Sequence, residues 1–283
     1  MRWTRGDRSH VEDLRGRSGG MRALPIGIGG FVVLLLLSLF TGVDFLSLLG
    51  TDGTAPSGST ATTGTVATSP EEEELVDLVD SVVADSETAW EHLLGGRYEP
   101  TRAVLFRDAI QSACGFAQSA TGPFYCPRDA KVYLDLGFFD DLRRQFGAPG
   151  HFAQAYVVAH EVGHHVQNVL GIEQRVRQQQ AARPDQVNEL SVRLELQADC
   201  FAGIWGNAAA ANGANARVSL DPGDVDDGLR AAAAIGDDRL QRLGGGRVMP
   251  ERFTHGTSDQ RASWLRRGLE SGDPAACDTF AAR

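Results

Sequence analysis

The residues with the clearest chemical potential are two histidines four positions apart, His160 and His164, with Glu161 directly after the first. Positions i and i+4 of a helix lie on one face, so both imidazoles can reach one metal ion. Glu161 lies beside that face, where its carboxylate can take a proton from a water molecule. The pattern predicts a zinc-dependent hydrolytic site with His160 and His164 as ligands and Glu161 as the catalytic base.

A catalytic zinc site needs a third protein ligand and one open position. Glu195, 31 residues after His164, opens the sequence Glu-Leu-Gln-Ala-Asp and is the preferred candidate. Asp199, one helical turn later, can accept a hydrogen bond from the second ring nitrogen of a ligating histidine, which orients the ring. The neighbouring residues are apolar, which indicates a packed helix. Glu189, at the polar start of the same predicted helix, is the alternative third ligand.

The hydrophobic pattern indicates which elements position these residues. Apolar residues at helical spacing predict helices around His160 and around Glu195, and Gly163 would let a neighbouring element approach closely. The order of elements predicts an α+β fold that is predominantly helical, with a small β-sheet. The predicted helices lie near residues 75–94, 138–146, 152–170, 187–211 and 220–234. The predicted strands lie at 103–106 and 131–136. A polar stretch rich in Gln and Arg, 173–186, is interrupted at Pro184.

The predicted strand over residues 131–136 alternates apolar and polar side chains and is therefore half-buried. Such a strand has two possible uses. It could form the sheet edge that pairs with an extended substrate backbone, or it could be a plain core strand. The sequence leaves both open.

Residues 26–43 form an uncharged apolar run just long enough to cross a bilayer once. Arg15, Arg17 and Arg22 precede it and Asp44 follows, which places the N-terminus in the cytoplasm by the positive-inside rule. The prediction is a basic cytoplasmic N-terminus (1–25), a single transmembrane helix (26–43), a flexible linker (44–74) and an extracytoplasmic catalytic domain (75–283). A cleaved signal peptide is the alternative, although its N-terminal region would be long and no clear cleavage site follows.

The charge and the cysteine content of the chain indicate which partners and which covalent links to expect. The chain has a formal net charge of −10 although its N-terminus is basic, which argues against nucleic acid as a partner. Four cysteines in an exported domain favour disulfides. Cys114–Cys126 would close a short loop and Cys200–Cys277 would tie the C-terminal tail to the middle of the domain; three pairings are possible, and the sequence does not choose between them.

With these motifs, nearly the whole chain resembles a bacterial family of neutral zinc metallopeptidases with a gluzincin-type active site. The resemblance implies a membrane-anchored, zincin-like domain that binds Zn²⁺ and acts on peptide or protein substrates. His255 would stabilise the oxyanion of the reaction, and an ordinary loop histidine is the alternative. The segments that carry the resemblance are 11–17, 122–127, 133–136, 159–167, 195–205 and 253–261.

Two other functions remain compatible with these residues. One is a non-catalytic, membrane-anchored binding or scaffold protein that keeps zinc for structure. Glu161 argues against it, because a structural site has no use for a general base. The other is a zinc amidase acting on a non-protein amide, which nothing in the sequence excludes.

Overall fold

Helices form most of the regular structure in the computed structural model, which describes residues 1–16, 68–118, 122–145, 147–148, 150–211, 217–245 and 247–281. The short strands gather mainly in one small sheet, so the predicted α+β, predominantly helical class is confirmed. Within these residues the helices are α1 (Pro70–Leu94), α2 (Leu136–Arg144), α3 (His151–Val169), α4 (Ile172–Ala182), α5 (Val187–Ala211), α6 (Asp224–Ala234), α7 (Asp237–Leu243) and α8 (Ser258–Ser271).

The strands of the described residues are short, and the longest have five residues. They are β1 (Arg2–Trp3), β2 (Val11–Asp13), β3 (Arg102–Phe106), β4 (Ala109–Ser112), β5 (Gly115–Gln118), β6 (Phe124–Cys126), β7 (Lys131–Asp135) and β8 (Val218–Ser219). A four-stranded sheet has the order β2-β3-β7-β6, while β4 pairs with β5 and β1 with β8.

The strand predicted over residues 131–136 is β7, and it lies inside the sheet. It pairs in parallel with β3 on one side and antiparallel with β6 on the other. The expectation that it could be an edge open to substrate is therefore wrong. The edge strand on this side is β6, which the sequence analysis did not predict because three residues are too few to show alternation.

Helices α3 and α5 cross at the centre of the core, and both present apolar side chains to it. Their backbones meet at Gly163, where an added Cβ would lie 2.9 Å from the carbonyl oxygen of Ala198 and 3.1 Å from its Cα. A side chain at position 163 would therefore force the helices apart. The close approach predicted for Gly163 is confirmed, and it brings His160 and His164 to the face of α5 that carries Glu195 and Asp199.

Both proposed disulfides are present and all four cysteines are paired. Cys114–Cys126 joins the turn between β4 and β5 to the edge strand β6. Cys200–Cys277 joins α5 to the segment after α8, close to where α5 and α8 pack together. The second link thus fixes the chain's end against the helix that carries Glu195.

The N-terminal boundary of the domain differs from the prediction. Met1–Arg15 belongs to the same compact unit as the residues from Ala67 onward, and α1 begins at Pro70 inside the predicted linker. The predicted membrane helix at 26–43 lies outside the described residues. Among the residues that are described, no helix is long and apolar enough to span a membrane.

We expect Gly163→Ala to lower the free energy of unfolding by about 1–3 kcal/mol, the usual cost of adding a methylene to a packed core. Zinc affinity should fall with it, since the helices that carry the candidate ligands must separate. Gly96→Ala is the matched control, because nothing lies within 4 Å of a Cβ built there. Thermal unfolding and zinc titration measure both effects; equal stability of the two variants would contradict the close crossing.

Candidate metal centre

Three side chains converge where α3 crosses α5. One potential ligand atom from each of His160, His164 and Glu195 lies within 4.8 Å of the other two. The Glu195 carboxylate oxygens are 3.2 Å from His160 Nε2 and 3.5 Å from His164 Nε2. The three residues that the sequence analysis assigned as ligands therefore meet at one point. Glu189, the alternative ligand, is 60% exposed and pairs with Arg193 instead.

The His160 ring is oriented by Asp199, as the sequence analysis expected. Nδ1 of His160 is 2.8 Å from Asp199 Oδ1. An ionised carboxylate only accepts hydrogen bonds, so Nδ1 carries the proton and donates it. The lone pair of the ring is then on Nε2, which faces Glu195 and His164.

The His164 ring is oriented by Gln167, a residue whose role the sequence analysis missed. Gln167 donates from Nε2 to the Leu194 carbonyl (2.7 Å) and to Gln197 Oε1 (3.1 Å), so its Oε1 is left as an acceptor. His164 Nδ1 lies 2.9 Å from that oxygen and donates to it. Nε2 of His164 therefore also faces the candidate ligand group, 3.5 Å from Glu195 Oε1.

Asp199 is at the centre of a buried polar network that includes Arg261 of α8. The Arg261 guanidinium donates to both carboxylate oxygens at 2.9 Å, and the Tyr156 hydroxyl donates to Oδ1 at 2.5 Å. Burial alone would raise the pKa of Asp199, but Arg261 and then His160 lower it to about 2. Asp199 is therefore ionised and remains an acceptor for His160.

The charges of this buried group fit a divalent cation. Three carboxylates, from Glu161, Glu195 and Asp199, lie beside one guanidinium that pairs with Asp199, so the other two need positive charge from the imidazoles or from a metal ion. Burial disfavours a charged imidazole, yet Glu195 and then Glu161 raise the pKa of His164 to about 10. Buried charge must be compensated, and two imidazoles with a carboxylate form a set of donors that suits Zn²⁺.

Glu161 lies on the same helix and is 6% exposed. Burial raises the pKa of its carboxyl group, and the charges of His160 and His164 oppose that shift. It lines the same cleft as the three candidate ligands. Its position beside the ligand face matches the one expected from the sequence.

The centre opens into a cleft of about 680 Å³, with edge strand β6 in one wall and His255 in another. Asp237 fixes the histidine: its carboxylate accepts from the backbone N–H of His255 at 2.7 Å and lies 3.1 Å from Nδ1. The hydrogen bond that Asp237 accepts raises the pKa of His255 against the effect of burial, and Glu195 adds to the rise. The structure thus places His255 at the cleft, as the sequence analysis proposed.

The family model described as "Putative neutral zinc metallopeptidase" matches residues 1–280. The chain belongs to this family.

Two curated relatives are each 46% identical to the chain over the residues that align. "Uncharacterized protein YpfJ" of Escherichia coli K12 is 46% identical over 293 residues, which cover 99% of each chain. "Uncharacterized protein Rv2575" of Mycobacterium tuberculosis H37Rv is 46% identical over 204 residues, covering 69% of this chain and 67% of that protein. No solved structure matches. The comparisons therefore show the family, whereas the evidence for a particular reaction has to come from the site.

The residues that match the family include helix α8, which holds Arg261. The sequence analysis gave this residue no role. Its role depends on the packing of α8 against α5, which no local pattern shows. A signal for the helix itself was present: Thr257 and Gln260 form a capping box at its start, with reciprocal hydrogen bonds of 3.1 and 2.9 Å. Recognising that box would have placed Arg261 on a helix next to the loop of His255.

Arg261→Met should lower zinc affinity about 10- to 100-fold, the usual cost of losing a residue that supports a ligand. The change removes two hydrogen bonds from Asp199 and leaves its charge unpaired. Arg261→Lys should lie between wild type and Arg261→Met, because lysine keeps the charge and loses the two-pronged geometry. Competition with a chromophoric chelator measures the affinity.

Arg266→Met is the matched control for this prediction, since Arg266 lies on the same helix and is exposed. Circular dichroism identifies variants that fail to fold. A folded Arg261→Met protein with wild-type zinc affinity would contradict the supporting role of Arg261.

Proposed function

We propose that this chain is a zinc-dependent metallopeptidase that hydrolyses peptide bonds with Glu161 as general base. The observation that carries the proposal is the group of buried His160 with half-buried His164 and Glu195, which shares an open cleft with Glu161. The family described above supports the same reaction class.

His160, His164 and Glu195 would hold the zinc ion through the two Nε2 atoms and one carboxylate. When bound, zinc would supply positive charge that polarises a substrate carbonyl and lowers the pKa of a water molecule. Asp199 and Gln167 keep both rings in the tautomer that presents Nε2. A site that is oriented before substrate arrives loses little energy in reorganisation during the reaction.

Glu161 would accept the proton of the attacking water and deliver it to the leaving amine. Its burial favours this role, because a raised pKa lets the carboxyl group hold a proton between the two transfers. The neighbouring cationic charge opposes the shift and keeps the carboxylate available as a base.

Edge strand β6 would hold the peptide in extended form by pairing with its backbone. It lies antiparallel to β7 and lines the cleft. The Tyr125 hydroxyl fixes it to α3, since it lies 3.0 Å from His165 Nδ1 and accepts from Asn168 Nδ2 at 2.9 Å. This attachment to the helix of His160 and His164 favours a fixed distance between substrate backbone and centre.

His255 would donate a hydrogen bond to the oxyanion that forms when the carbonyl is attacked. Asp237 holds its Nδ1, which leaves Nε2 for the cleft. The raised pKa favours the protonated form, in which Nε2 is a donor.

The number of candidate ligands favours an enzyme over a scaffold that keeps zinc for structure. Structural zinc sites are closed by four protein ligands. In the described ranges, no further His, Cys, Asp or Glu joins the group of three. One position would therefore remain open for water or substrate.

Glu161→Gln should reduce peptide hydrolysis by about 10²- to 10⁴-fold, since the amide cannot act as a base. Zinc should stay bound, because residue 161 is not a ligand. Cleavage of a peptide library and zinc content by elemental analysis measure the two effects. Glu189→Gln, the matched control, should keep both zinc and activity. Undiminished cleavage by Glu161→Gln would refute the assignment of the base.

His255→Ala should lower kcat by about 10²-fold, as expected for the loss of one oxyanion donor. KM and zinc content should change little, because His255 interacts mainly with the transition state. His92→Ala, an exposed histidine in α1, serves as control. A His255→Ala enzyme with wild-type kcat would leave His255 as an ordinary loop residue.

A further inference from the structure

The first fifteen residues, Met1–Arg15, are built into the domain, and we call them the N-terminal strap. Strand β1 pairs antiparallel with β8, and β2 pairs in parallel with β3 at the outer edge of the four-stranded sheet. Thr4 N donates to the Arg217 carbonyl and Leu14 N to the Leu105 carbonyl, both at 2.9 Å. The strap is thus hydrogen-bonded to the domain at two separate places.

Ion pairs hold the strap along its length. The Met1 ammonium is 2.8 Å from Asp224 Oδ2 and 3.2 Å from Asp221 Oδ2. The Arg15 side chain is 3% exposed and lies 2.9 Å from Glu73 of α1. Each of the four arginines of the strap is therefore paired with an acid of the domain. The other pairs are Arg2–Asp221, Arg5–Asp77, Arg8–Glu73, Arg8–Asp77, Arg15–Glu72 and Lys131–Glu12.

The middle of the strap fits closely against α1. A Cβ added to Gly6 would lie 2.4 Å from Asp80 Oδ2, so only glycine fits without a shift. Asp80 is fully buried and accepts from the backbone N–H of His10 at 3.1 Å. A loosely attached tail would not cover a buried carboxylate in this way. The strap is part of the folded domain.

These contacts bear on where the strap and the rest of the domain lie relative to a membrane. The run at 26–43 separates the strap from the residues that follow Ala67, yet strap and domain form one unit. The hydrocarbon core of a bilayer is about 30 Å thick, whereas facing residues of paired strands are about 5 Å apart. A single crossing of the bilayer between strap and domain is therefore incompatible with the pairing of β1 with β8 and of β2 with β3.

We infer that the strap and the catalytic domain occupy the same side of any membrane to which the chain is attached. This differs from the arrangement expected from the sequence, with the N-terminus in the cytoplasm and the domain outside. Of the three arginines on which the positive-inside prediction was based, Arg15 is paired with Glu72 and Glu73 of α1, and Arg17 and Arg22 lie outside the described residues. The inference rests on strand pairing and ion pairs, and it is independent of the proposed reaction.

A crosslink between the strap and the domain tests this topology in the full-length chain. Arg2 and Ser219 face each other in the β1–β8 pair, so Arg2→Cys with Ser219→Cys should form a disulfide under mild oxidation of isolated membranes. A protease site inserted after Gly58 then separates the two parts. Both native disulfides lie within residues 114–277, so only the engineered one can keep the fragments together.

We expect most of the cleaved protein to migrate as one species without reductant and as two with it. The single variants Arg2→Cys and Ser219→Cys control for exchange with native cysteines. The same double variant, with residues 26–43 replaced by an equal length of Gly and Ser, measures linkage when no membrane segment is present.

Linked fractions within twofold of each other, with and without the apolar run, support the shared side. A tenfold lower fraction in membranes than in the Gly/Ser chain would overturn the inference, because the strap would then lie across the bilayer. Failure to link in both folded chains would overturn it as well, because the strap would not be docked.

Discussion

The clustering of three carboxylates around two imidazoles is the constraint on which the rest of this structure depends. Arg261 pairs with Asp199, and the carboxylates of Glu161 and Glu195 need positive charge from the imidazoles or from a metal ion. Such an arrangement is costly unless further positive charge is present. The helices that surround it therefore have to be held firmly, and much of the fold can be understood as that support.

Three helices from distant parts of the sequence share this task. α3 provides both histidines and the base, α5 the carboxylates, and α8 the guanidinium that keeps Asp199 ionised. The crossing at Gly163 sets the distance between the first two, and Cys200–Cys277 fixes the third against the second. The loop of His255 precedes α8 directly, so the helix that supports the ligands also positions one wall of the cleft.

The sequence was sufficient to predict elements whose residues follow a local, periodic pattern. It predicted the helices of His160 and Glu195, the convergence of both motifs, and the role of Gly163 at their crossing. It was insufficient for α4, whose surface is mostly polar and lacks an apolar stripe, and for strands of two or three residues such as β1 and β6. The order of strands in the sheet, and hence which one is the edge, depends on pairing between residues far apart in the chain.

The residues of the candidate site also fall into those that the sequence could predict and those that it could not. Residues on one helix, with fixed spacing, could be assigned from the sequence, whereas Arg261 and Gln167 gain their roles only from neighbours on other elements. Gln167 is a particular case: it lies one turn from His164, but its side chain is oriented by Leu194 and Gln197 of α5. No pattern within α3 could have shown which way its amide faces.

The relay that orients His164 continues beyond the helices. Gln197 donates from Nε2 to the carbonyl oxygen of Cys277 at 3.0 Å, so the chain of hydrogen bonds that begins at a ring nitrogen ends on a half-cystine. Two glutamines, Gln167 and Gln197, therefore separate the His164 ring from the backbone of Cys277. The covalent link between Cys200 and Cys277 holds that backbone against α5, so a bond between two sulfur atoms contributes to the alignment of an imidazole that it does not touch.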